Sequence, residues 1–152
     1  MDILSFVFVI VLFFIDRVSK HLAVVYLKPV YQIKLLPQIL NLTYVENQGA
    51  AFGILREHKS LLFWATVIAF FLFFKCSHWI SEIKSGGSST ALKFCLATVF
   101  AGALGNLYDR FFRGSVTDFL ELAFIDFPVF NLADVFLTFG CAALFFLGVH
   151  GK

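Results

Sequence analysis

Three groups of polar residues interrupt a chain of 152 residues that is otherwise largely apolar, and each has the spacing of a helix face. Asp16 and Lys20 are four apart, so a helix brings an anion and a cation side by side. In AGALGNLYDRFFRGSVTDFLE, the residues Gly102, Asn106 and Arg110 recur at the same interval. The glycine admits a close neighbour, and an amide and a guanidinium project further along the same stripe. Asp109 adjoins the stripe, and Gly114 permits a turn back before Val116-Thr117-Asp118-Phe119. In FNLADVFLTFG, Asn131 and Asp134 are three apart at the start of a helix, whose N-terminal partial charge favours an anion. A charge at the centre of a membrane helix costs about 2.5 to 3.5 kcal/mol on insertion scales, so each of these groups is a functional candidate.

Two carboxylates brought together can hydrolyse an amide. An ionised carboxylate takes a proton from water while its protonated partner donates to the scissile carbonyl; proximity splits the two pKa values, because both cannot ionise cheaply at once. Spacing alone leaves Asp109, Asp118 and Asp126 open as the partner of Asp134. Other schemes lack their residues. HExxH and GxSxG are absent, His21, His58, His78 and His150 are scattered, and Ser19 and Lys20 are neighbours that point different ways on a helix. Cys76, Cys95 and Cys141 have no CxxC spacing, so neither a zinc site nor a disulfide framework is expected.

Four apolar segments can carry these residues, at approximately 3–27, 61–80, 91–108 and 130–149, each long enough to cross about 30 Å of hydrocarbon. Composition agrees: 60% of residues are hydrophobic and 14% charged, with a mean hydropathy of +0.88. A net charge of +2 excludes a dedicated nucleic-acid binder. The N-terminal run Ile3 to Phe14 lacks a preceding basic residue and a following cleavage site, and is read as part of the mature protein. YQIKLL and ILNLTY, between the first two spans, predict a small extramembrane sheet. With four spans, the connections 28–58 and 111–129 share one side of the membrane, so Asn47, Asp118 and the start of the fourth span gather at one face. Lysines and arginines occur on both sides, so charge bias does not fix which face this is.

At these residues the chain resembles bacterial lipoprotein signal peptidase, or signal peptidase II, a family of four-span aspartic proteases. DRVSK from Asp16, NQGAAFG from Asn47, GALGNLYDR from Gly102 with GSVTDF from Gly114, and FNLAD from Phe130 follow the family's blocks in order. The resemblance implies Asp118 and Asp134 as the catalytic dyad and Asn47 and Arg110 as substrate contacts. Asp16, Lys20, Gly102, Asn106, Asp109 and Asn131 would support the site, with no metal or cofactor. It further implies an all-α polytopic fold of one domain over 1–152, with four transmembrane helices and a β-rich connection between the first two. The expected substrate is a prolipoprotein carrying diacylglycerol on a cysteine, cut just before that cysteine at the periplasmic face of the bacterial inner membrane. Membrane lipids are expected neighbours; neither nucleic acid nor an obligate protein partner is. A small proton-coupled carrier using Asp16 or Asp134 is the alternative from another class, disfavoured by the lack of internal repeats. A structural assembly subunit would leave the convergent Asp and Asn residues without a purpose.

Overall fold

The computed structural model describes residues 2–49 and 90–150, with helical positions at 64, 66–69, 71–72 and 75. The predicted span 61–80 and the Gly/Ser-rich link after it therefore lie mostly outside the described residues. Helix α1 covers Ile3–Leu22 and starts on an Asp2 cap, whose carboxylate accepts the Ser5 N–H at 2.9 Å. It ends in a π-helical turn, Ala23–Leu27, closed by the Lys28 N–H on the Ala23 carbonyl. Helix α2 covers Thr90–Arg113 and α3 covers Leu132–His150. By length and composition α2 could cross a membrane, the one such helix among the described residues; α1 carries three charges, Asp16, Arg17 and Lys20.

Burial is inverted relative to a water-soluble protein. Asp16, Asp109 and Asn131 have no exposed surface and Lys20 only 1%, whereas Ile3, Phe14, Phe139 and Phe145 are each at least two-thirds exposed. The helices touch through small residues. Ala97 and Ala101 on α2 pack against Val9 on α1, and a Cβ on Gly102 would meet the Leu137 amide nitrogen of α3 at 3.0 Å. Gly105 faces Asp16 as closely: a Cβ there would lie 2.7 Å from its Oδ2.

The predicted sheet is present, with one strand more than expected. Strands β1 (Gln32–Leu36) and β2 (Leu40–Asn47) form an antiparallel hairpin, turning through Pro37 and Gln38, the latter at φ 63°. The third strand, β3 (Val116–Leu122), comes from the connection after α2 and pairs antiparallel with β2, Val45 opposite Asp118 and Asn47 opposite Val116. Gly114, at φ 71°, lets α2 stop and the chain reverse into β3, its N–H closing on the Arg110 carbonyl. One sheet thus joins the two connections expected to share a face. Tyr44 and Phe119 pack its inner side on Ala23 and Leu27. The Glu121 carboxylate accepts from Gln32, Asn41 and Thr43, a cluster that spans all three strands.

Candidate active site

Where the sheet meets the start of α3, a cavity of about 410 Å³ opens between polar and apolar walls. Asn47, Asn106, Arg110, Asp118 and Asp134 form its polar side; Phe127, Val129, Phe130, Val135 and Phe139 supply much of the rest. Five elements or turns converge here, and each has a local reason for doing so. The pleat of β3 sends Asp118 to the face opposite Thr117 and Phe119, and pairing with β2 places Asn47 beside it. Asp134 is the third residue of α3, and with the cap residue Asn131 it makes a reciprocal capping box. The Asn131 Oδ1 accepts the Asp134 N–H at 3.1 Å, and the Asp134 Oδ2 accepts the Asn131 N–H at 3.1 Å. The cap interaction expected of an acidic residue in a first helical turn and membership of the cavity therefore coexist in one side chain.

Two asparagines connect the carboxylates. Asn131 Nδ2 donates to Asp118 Oδ1 at 2.6 Å and to Asn106 Oδ1 at 3.2 Å, while Asn106 Nδ2 donates to Asp134 Oδ1 at 2.7 Å. Asn47 Nδ2 holds the other oxygen of Asp118 at 2.9 Å, and its own oxygen accepts the Gly49 N–H. Arg110 donates to the Gly49 carbonyl at 3.2 Å, bracing that turn from α2. Asn47 and Arg110, expected as substrate contacts, thus also order the cavity rim. Burial pushes the Asp118 carboxyl up to about 6; the Asn47 amide opposes the rise and the charge of Asp134 adds to it.

Behind the asparagines lies a buried ionic cluster. Lys20 Nζ has three N–H groups and three acceptors: Asp16 at 3.1 Å, Asp109 at 2.9 Å and Asn106 Oδ1 at 3.0 Å. Because an ammonium only donates, Lys20 fixes the Asn106 oxygen toward itself and leaves the amide N–H groups for Asp134. Asp16 Oδ1 accepts the Ala133 N–H at 3.1 Å, tying the start of α3 to α1. The i,i+4 spacing of Asp16 and Lys20 does give an ion pair, and it serves three helices. Asp109 faces this cluster and Asp126 lies exposed on the loop before α3, so of the three candidate partners for Asp134 only Asp118 shares the cavity.

Arg17 escaped the sequence reading. It pairs with both Asp16 and Asp109, donates to the Gly105 carbonyl at 3.0 Å and lies over the Tyr108 ring at 4.9 Å. Two cations thereby neutralise two anions in a water-poor interior. The signal was available: Arg17 is an ionisable residue within an apolar run, the criterion that singled out Asp16 and Lys20.

A family model described as signal peptidase (SPase) II matches residues 8–149. This chain belongs to the signal peptidase II family. Curated relatives agree in kind. A lipoprotein signal peptidase of Caldanaerobacter subterraneus subsp. tengcongensis is 38% identical over 147 residues, covering 95% of this chain and 94% of the relative. One of Staphylococcus aureus strain JH9 is 36% identical over 144 residues, covering 91% and 82%. Among solved structures, a bacterial membrane enzyme determined by the in meso method at 2.3 Å resolution superposes with a TM-score of 0.81 at 30% identity, covering 95% of this chain and 87% of that one. A second, at 1.9 Å resolution, gives a TM-score of 0.80 at 29% identity, covering 97% and 94%. The chain is therefore a membrane peptidase of the signal peptidase II family, and its exposed aliphatic and aromatic residues are the surface such a protein turns to lipid.

Proposed function

We propose that this peptidase is an aspartic endopeptidase that removes signal peptides from diacylglyceryl-modified prolipoproteins, with Asp118 and Asp134 as its dyad. The observation that carries the reading is their arrival, from a strand and a helix, at one cavity where Asn131 and Asn106 link them. One carboxylate takes a proton from a water whose oxygen attacks the scissile carbonyl carbon, and the protonated partner donates to the carbonyl oxygen. The resulting gem-diol collapses as the dyad's proton passes to the leaving amine of the lipidated cysteine; the C–N bond breaks, and a gem-diol hydroxyl returns its proton to the dyad as the new carboxyl group forms. The elevated Asp118, at about 6, supports a shared proton in the mildly acidic range.

In this reading the chain is one domain over 1–152 that crosses the bacterial inner membrane four times, with the cavity at its outer, periplasmic face. There a precursor still anchored by its signal peptide presents the bond before the cysteine, and the diacyl chains stay in lipid. Asn47 and Arg110, at the rim, would meet the substrate backbone, while Asp16, Lys20, Gly102, Asn106, Asp109 and Asn131 hold the frame. The test is processing of a diacylated prolipoprotein by the purified chain in lipid, against an unlipidated form of the same precursor. Selective cutting of the lipidated form supports the reading, and equal cutting or none contradicts it.

A further inference from the structure

Thr138 lies one helical turn beyond Asp134 and lines the same cavity. A threonine inside a helix commonly bonds its hydroxyl to the carbonyl four residues back, as Thr98 does with Phe94 at 2.8 Å. Thr138 makes no such bond, and its hydroxyl has no hydrogen-bond partner among the described residues. Its flanking wall residues, Val135 and Phe139, are apolar. Thr138 is exposed, so its hydroxyl carries a desolvation cost only once the cavity fills, and only if the occupant supplies no polar atom.

We infer that Thr138 is a substrate-binding residue whose hydroxyl donates to the precursor's backbone, about two residues upstream of the scissile carbonyl. The inference rests on the proposed function. Four residues of helix advance about 6 Å along α3. An extended chain advances about 3.3 Å per residue, which gives the two-residue offset. The direction follows from the apolarity of the two ends: α3 runs from the sheet into the apolar part of the protein, and so does the signal peptide, whereas the mature chain leaves toward water. Where a signal peptide unwinds to be cut, its carbonyls lose their helical partners and need replacements in a water-poor site.

The experiment compares the full-length chain with Thr138→Val and Thr138→Ser on a diacylated prolipoprotein in lipid, measuring kcat and KM separately. Valine keeps the shape without the hydroxyl, and serine keeps the hydroxyl. Thr138→Val should raise KM about three- to tenfold, the worth of one ordinary hydrogen bond, with kcat within about twofold. Thr138→Ser should stay near the parental values. An unchanged KM in Thr138→Val, a fall in kcat alone, or a loss shared by Thr138→Ser would overturn the assignment and leave the dyad untouched. Failure of the parental chain to cut the lipidated precursor would refute both this assignment and the proposed function.

Discussion

Replacing Asn131 by serine separates two jobs that one side chain performs. The Asn131 oxygen caps α3 through the Asp134 N–H, and its nitrogen bridges to Asp118 Oδ1 at 2.6 Å. Serine caps a helix about as well as asparagine, so the capping contribution should survive. The shorter side chain cannot also reach Asp118. A hydrogen bond to a charged group is worth about 1.5 to 3 kcal/mol, which corresponds to a fall in kcat of roughly 10- to 150-fold if the bond holds Asp118 in its reactive position. Asn131→Ala should lose the same activity and, in addition, about 1 kcal/mol of stability from the missing cap. Turnover of a diacylated prolipoprotein in proteoliposomes, with thermal unfolding followed on the same samples, reads both quantities. Parental kcat in Asn131→Ser would refute the bridge; a lowered unfolding temperature in Asn131→Ser equal to that of Asn131→Ala would refute the separation.

Other expectations follow from the surroundings of each group. Lys20→Met should destabilise the fold by about 3 to 5 kcal/mol, because among the described residues Asp16 and Asp109 would keep Arg17 and, at 4.0 Å from Asp109, the exposed Arg113; chemical denaturation measures it. Gly105→Ala should cost about 1 to 3 kcal/mol by pressing a methyl on Asp16, read in the same assay. Asp118 is raised in the fold, so its contribution to stability is full below its ordinary range and is lost as pH rises through about 6. The base limb of kcat/KM should likewise fall as the dyad loses its proton above about pH 6. Asn47→Ala should move that limb to higher pH, since it removes a donor that favours the ionised carboxylate. Asp126→Asn should leave turnover at the parental rate, because that carboxylate is exposed and outside the cavity.

Helix-face spacing made much of the frame legible. Asp16 with Lys20 and Gly102 with Asn106 and Arg110 are local patterns, and a local period survives folding. Gly102 contacts α3 and Asn106 and Arg110 face the cavity, as one stripe should. Spacing could not choose among Asp109, Asp118 and Asp126, because the choice depends on a turn at Gly114 and on pairing between strands some 70 residues apart. The resemblance pointed to Asp118, and it is the one that shares the cavity with Asp134. β3 was overlooked for the same reason: Asp118 and Glu121 break its apolar pattern, and its partner strand belongs to another connection. Arg17 was missed because adjacent residues on a helix point about 100° apart, so its link to Asp109 needs a second helix alongside. The apolar cavity wall at Phe127 to Phe130 carries no signature beyond its hydrophobicity.

The proposed mechanism requires Asp118 and Asp134 to act together on a lipidated precursor. The measurement that tests it most directly is processing of a diacylated prolipoprotein by the purified chain and by Asp118→Asn and Asp134→Asn at matched expression and thermal stability. Cleavage before the lipidated cysteine by the parental chain and no measurable cleavage by either variant are the expected results. Processing at the parental rate by either variant would contradict that mechanism.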